Sequence, residues 1–374
     1  MVELGEEKRP SSKKWLLGCG GGCLGTIMLV AVALGLIAYY AMRAVPILPP
    51  ETFLVRQTDG FVVAKITKDD EAIIRELQKV LTRLPELTDM SKDTRRNWRQ
   101  QQANAKEALV SAGPVQVTVV QQVSPDGEAK RGMVANIKRL SGFFRWTVNW
   151  SLDSLPAEGG SLEDYQGTTI GTSKEGMSVA ARGNNFMFSQ SSDVIKHWID
   201  RIKEQRKAES EASEKEAPAP SPQLSGKLKE LYNALPQAVP VRFGLSNEAS
   251  QLKKLMSTVA REAALEDLEE LGVFDQNIEA LSGTAETESG STGKVSLTLA
   301  CKGAPVASEI AGRLKKEKSQ LEQALQIQKL QVEQDDSELK VDFLVPDMWS
   351  RLRKALTAGL KKETKEEKQD AGRE

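Results

Sequence analysis

Apolar residues recur along this chain in three spacings, and each spacing predicts a different kind of element. From Trp15 to Met42 they dominate a run that holds no charged residue. Wound as a helix at about 1.5 Å per residue, such a run crosses the roughly 30 Å hydrocarbon core of a bilayer. At helical spacing, Ile73, Ile74, Leu77, Val80, Leu81 and Leu84 make one stripe, and Leu252, Leu255, Met256, Val259 and Ala263 make another. Thr67 and Asp70 stand where a capping box would open the first of these helices, with Lys79 and Arg83 toward its C-terminal end, where cations suit the helix dipole. Strict alternation marks Val115–Val119 and Val295–Leu299 as strands.

These elements follow one plan in two successive segments. The first opens with a strand over Thr52–Gln57 and the second with one over Val239–Leu245, introduced by Leu48-Pro49 and Leu235-Pro236. A helical stripe follows in each, then the alternating strand. Each segment closes with a hairpin and a Trp-bearing helix. In the first, Met177–Ser189 turns at Gly183-Asn184 and leads into Val194–Ile202; in the second, Leu330–Val345 turns at Asp335-Asp336 and leads into Met348–Leu360. The pattern predicts an α+β fold: an N-terminal transmembrane helix followed by two similar mixed α/β domains with largely antiparallel sheets, related by duplication.

The boundaries come from composition. Residues 1–14 form a basic tail, 15–42 the membrane anchor and 43–50 a spacer stiffened by Pro46, Pro49 and Pro50. The first domain covers 51–203 and the second 227–362. Between them, 204–226 is rich in Glu, Lys, Ala, Ser and Pro and holds Leu224 as its only large apolar residue, a composition that reads as a disordered linker. Residues 363–374 are a charged tail.

Lys8, Arg9, Lys13 and Lys14 precede the apolar run, whereas Arg43 alone follows it before Arg56; this bias places the N-terminus in the cytoplasm and the bulk of the chain in the periplasm or outside the cell. A cleaved signal peptide fits less well, because its apolar core spans about 7 to 15 residues and ends in a small-x-small site, while this run ends in Tyr39-Tyr40-Ala41-Met42. Leu16-Leu17-Gly18-Cys19 has the look of a lipoprotein box, but here the apolar run follows the box instead of preceding it. Gly18, Gly22 and Gly25 lie at spacings that let two helices approach closely, which makes the anchor a candidate homodimer surface.

Charge and composition then narrow the chemistry. Lys and Arg total 51 against 52 Asp and Glu, a balance unlike that of a dedicated nucleic-acid binder. There is one histidine, and of the three cysteines Cys19 and Cys23 fall in the apolar run, which leaves Cys301 alone in the rest of the chain. No disulfide can form within that part, and no cofactor or metal site is expected. His197 sits on a helix with Asp193 and Arg201 a turn away and reads as a paired surface residue. No Gly-x-Ser-x-Gly elbow occurs, and Gly290-Ser-Thr-Gly293-Lys294 lacks the first glycine and the Ser or Thr of a phosphate loop. Asp69-Asp70 and Asp335-Asp336 read as a helix start and a turn. Arg95-Arg96-Asn97-Trp98-Arg99 reads as a solvated helix. Asn149-Trp150-Ser151 is a sequon that matters only in a eukaryotic secretory pathway.

Phe143–Trp150 alternates so that Phe144, Trp146, Val148 and Trp150 share one face of a predicted strand. At about 3.3 Å per residue, Trp146 and Trp150 stand about 13 Å apart. The row reads first as domain core and second as a ligand platform.

The arrangement of basic tail, Gly-rich anchor, Leu-Pro-Pro spacer and duplicated ectodomain resembles bacterial single-pass envelope proteins of unknown function, and that resemblance implies no activity. The sequence favours a membrane-anchored extracytoplasmic binding or scaffold protein without catalytic activity. Its expected partners are the bilayer and an envelope protein or ligand. The alternative is an envelope hydrolase or transferase whose site has no sequence signature. A broad apolar groove or open sheet edge would favour binding, and a deep pocket of convergent acids would favour the enzyme.

Overall fold

The computed structural model describes residues 47–55, 58–67, 69–76, 79, 114–123, 129–138, 148–149, 152–153, 155–174, 176–212, 220–224, 226–247, 277–351 and 353–354. The strands are β1 (Gly60–Ile66), β2 (Val115–Val123), β3 (Ala129–Ile137), β4 (Ser161–Tyr165), β5 (Thr168–Thr172), β6 (Ser178–Arg182), β7 (Asn185–Ser189), β8 (Val241–Ser246), β9 (Ile278–Ser289), β10 (Thr292–Cys301), β11 (Gln328–Asp335) and β12 (Glu338–Val345). All join one 12-stranded sheet in the order β11-β12-β10-β9-β8-β1-β2-β3-β7-β6-β5-β4. Each neighbouring pair is antiparallel. The helices are α1 (Ser192–Glu211), α2 (Gly226–Ala234), α3 (Ala304–Lys316) and α4 (Lys318–Ala324), with further helical turns at 71–76 and 348–351. The chain is thus mixed α/β, built on a large antiparallel sheet.

The joint of the sheet is the β1–β8 pair, in which Gly60 faces Leu245, Val62 faces Phe243 and Ala64 faces Val241. Outward from it the first four strands follow the same order on both sides, and β5 and β4 extend one side alone. β2 then β3 then the β7–β6 hairpin lie on one side, and β9 then β10 then the β12–β11 hairpin on the other. Strand order therefore sets β9 opposite β2, whereas the alternating pattern had paired Val115–Val119 with Val295–Leu299 of β10. β9 carries no apolar alternation because Ser282, Gly283, Thr284 and Thr287 interrupt it. Joining the halves here pairs two strand edges that would otherwise be open to aggregation.

Side-chain alternation divides the sheet into two faces. On the first, Phe61 and Val63 of β1, Val120 of β2, Val134 of β3 and Met187 of β7 meet α1 through Ile195, Trp198 and Ile199, in one core with Leu48, Phe53 and Leu54. Trp198 is fully buried and donates from Nε1 to the Phe53 carbonyl at 2.9 Å. α2 covers the joint on this same face, with Leu228 and Tyr232 against Phe61. On the second face, α3 and α4 cover β10, β12 and β11 through Ala307, Ile310, Leu314 and Leu321. The turns 71–76 and 348–351 meet there too, placing Ile73 against Met348 and Trp349. The two Trp-bearing helices that end the halves thus lie on opposite faces of the sheet.

Several expectations change. Of the predicted strand Thr52–Gln57, the described residues 52–55 are not strand. Pro50–Thr52 forms a 3-10 turn, and Phe53, Leu54 and Val55 are buried in succession, all within the first-face core, so the ladder starts only at Gly60. α1 runs on to Glu211, into the stretch read as a linker. Leu224, also within that stretch, is buried and bridges Thr58 in parallel. The second hairpin turns after Asp335, with Asp336 at φ 51°. Val148 and Asn149 are helical, so the predicted strand Phe143–Trp150 does not extend through them. Thr67 and Asp70 do pair, Thr67 donating from its backbone N–H and its hydroxyl to the Asp70 carboxylate at 2.7 and 2.8 Å, but the helix opens at Glu71, so Asp70 stands at its N-cap and the pair is not the predicted capping box. No described helix is long and apolar enough to cross a membrane. The anchor 15–42, with Gly18, Gly22 and Gly25, lies outside the described residues, as do Trp146 and Trp150.

Candidate functional site

At the joint, no described helix packs on the second face over Val62, Val119 and Leu245. The central row of this face runs from Gly283 through Phe243, Val62 and Val119 to Met133, each facing the next across the ladder. The row beside it runs from Leu281 through Leu245, Gly60 and Gln121 to Arg131. Between these rows lies an open groove of about 300 Å³, at the small end of the range for ligand sites. Val62 is 40% exposed and Met133 37%, which makes them two of only four large apolar side chains among the described residues that face solvent to this degree. A contiguous exposed apolar strip on a sheet floor is the kind of surface that marks an interaction site.

Glycine shapes this floor. A Cβ on Gly283 would lie 2.7 Å from Cζ of Phe243 and 2.5 Å from the Ser296 carbonyl oxygen; the bare backbone lets the Phe243 ring lie across β9 instead of standing into the groove. Gly60 does the same for Leu245, whose Cδ1 comes within 3.0 Å of the Cβ position. Large apolar side chains thus line the groove without filling it.

One end of the groove is polar. Arg131 is exposed, and its backbone is held by Gln190, which accepts from the Arg131 N–H at 2.9 Å and donates its own N–H to the Arg131 carbonyl. The Arg131 guanidinium forms no ion pair with any described residue.

Behind the joint, on the first face, sits a buried polar cluster. Tyr232 donates its hydroxyl to Glu51, and Arg242 donates to Gln237 and, at 3.4 Å, to the Tyr232 oxygen. The Arg242 guanidinium also lies over the Tyr232 ring, 5.3 Å from its centroid. Burial first, and then the bond to Glu51, push the Tyr232 phenol well above its ordinary range. A phenol held protonated between a carboxylate and a guanidinium acts as a pin: it ties the entry segment, α2 and β8 together, and α2 seals it from solvent.

The remaining chemistry is sparse. His197 is exposed, and neither Asp193 nor Arg201 bonds to it; Arg201 donates instead to the Ser221 carbonyl at 3.2 Å. Burial raises the Cys301 thiol, with a further push from Glu279, the reverse of what a reactive thiolate needs. No group of three or more potential metal ligands occurs among the described residues. A second hollow, of about 370 Å³, opens between α3, α4 and β11, where Lys315, Lys318 and Glu333 mix both signs of charge.

The groove escaped the sequence reading because its residues come from five strands and only the register brings them together. The one local signal was Gly244 inside the predicted strand Val239–Leu245, a placement that marks close approach. No protein-family model, curated protein or solved structure matches this chain.

Proposed function

We propose that this chain is a membrane-anchored extracytoplasmic binding protein that works without catalysis and takes its ligand into the groove at the β1–β8 joint. The groove is the observation that carries this reading: an apolar floor on paired strands, with Val62 exposed to solvent and, among the described residues, the buried polar cluster of Glu51, Tyr232 and Arg242 on the other face. In this reading residues 15–42 span the membrane, with Gly18, Gly22 and Gly25 as a helix-pairing surface, and the chain beyond Arg43 is extracytoplasmic. The matching strand order on either side of the joint supports two similar halves derived by duplication. Fusion of the halves edge to edge creates the groove, which neither half would have alone.

The test places a photo-crosslinking amino acid at Val62 in the full chain in its native membranes, with Met177, equally exposed on another part of the surface, as the control. Discrete adducts at Val62 and none at Met177 support the reading. Equal labelling at both positions overturns it.

A further inference from the structure

Resting on that reading, we infer that the groove takes a single-chain amphiphile with an anionic head, the hydrocarbon lying on Val62, Val119 and Leu245 and the head meeting Arg131. The argument is one of complementary chemistry along a single axis. The row from Leu281 to Gly60 offers no hydrogen-bonding side chain, so a polar chain laid there would lose its water without recompense. An alkyl chain has no such loss and gains about 25 cal/mol for each Å² of apolar surface it buries. At the other end, the same row finishes in Gln121 and Arg131. The Arg131 guanidinium has no anionic partner among the described residues, and a planar guanidinium matches a carboxylate or phosphate with paired hydrogen bonds. One charge at one end of an apolar channel selects a ligand built the same way. The groove's volume, about 300 Å³, suits one chain better than the two chains of a bilayer phospholipid. An apolar peptide segment would need acceptors and donors for its backbone, and the floor strands already spend theirs on the ladder.

The experiment uses the full chain in membranes, exposed in parallel to a diazirine-bearing long-chain fatty acid and to the matching fatty alcohol, with labelled peptides mapped by mass spectrometry. The acid is expected to label 60–66, 117–121 and 241–245 about five-fold more strongly than the alcohol, the modest factor that a partly solvated ion pair supplies. Arg131→Gln is expected to bring the acid down to the level of the alcohol, and Val62→Asp to abolish both. Equal labelling by acid and alcohol in the parent chain overturns the assignment of the head group while leaving the groove as a binding site. Absence of groove labelling by either probe overturns the amphiphile altogether; the Val62 crosslinker then decides separately whether the groove binds anything else.

Discussion

The ring of Phe243 lies across Gly283 on the neighbouring strand, so that a methyl group at Gly283 would meet its Cζ at 2.7 Å and the Ser296 carbonyl oxygen at 2.5 Å. The second of these contacts is to backbone and cannot swing away. Gly283→Ala is therefore expected to lose about 1 to 3 kcal/mol, as overpacked sites do, and to tip Phe243 into the groove. Gly60→Ala presses only on the flexible end of Leu245, at 3.0 Å, so its cost should stay below about 1 kcal/mol. Urea unfolding read by pulse proteolysis separates the two; equal losses would show that the groove floor is not shaped by these glycines.

Trp198 ties α1 to the entry segment through its bond to the Phe53 carbonyl, 2.9 Å long and fully buried. Trp198→Phe keeps most of the apolar volume but leaves that carbonyl with the Val55 N–H, at 3.1 Å, as its remaining donor, and the lost bond should cost about 0.5 to 1.5 kcal/mol. Trp198→Ala adds a cavity beside Gly132 and should cost about 3 to 5 kcal/mol. The same unfolding assay orders the two variants, and a Phe variant as damaging as Ala would make the hydrogen bond irrelevant.

Glu76 and Arg353 join the turn 71–76 to the last described helical residues at 2.7 Å, both side chains mostly buried. The Glu76 carboxyl is held below its ordinary value of 4.5, first by the bond from Lys79 and then, against the cost of burial, by the bond from Arg353. A depressed folded value means that the stabilisation is complete above about pH 4.5 and fades as pH falls through the folded value. Glu76→Gln should therefore be less stable than the parent at pH 7 and approach it in acid. A gap that stays constant from pH 7 down to pH 3 would deny the linkage.

Tyr232 carries the opposite sign. Its phenol is raised above the ordinary 10.0 by burial and by Glu51, so its contribution is complete below about pH 10 and is lost as pH climbs toward the folded value. The parent should lose stability in alkali faster than Tyr232→Phe, which has no phenol to ionise. Parallel alkaline curves would place the phenol in contact with solvent.

What the sequence disclosed and what it hid follow from the range of the interactions. The β6–β7 hairpin was legible because Gly183-Asn184 supplies a local turn signal between apolar runs, and Gly183 has the positive φ, 64°, that such a turn needs. Trp198 and Trp349 were legible as residues of the helices that follow the two hairpins, and both are buried. β1 was misplaced because Phe53-Leu54-Val55 reads as a strand although its burial comes from α1 and the segment around Leu224. β3 and β9 show no apolar alternation because Gly132 and Asn136 in β3 and Ser282, Gly283 and Thr284 in β9 interrupt it. The pairing of β1 with β8, and with it the groove, joins residues nearly half the chain apart, which no local pattern encodes.

That pairing is the claim on which the rest depends, and amide hydrogen exchange on the full chain tests it most directly. If β1 and β8 form the centre of one sheet, peptides covering 60–66 and 241–246 should exchange as slowly as those covering 115–123 and 278–289, because opening the joint requires opening both halves. Fast exchange in 60–66 and 241–246 beside protected β2 and β9 would mean that the halves are separate sheets and that the groove between them does not exist.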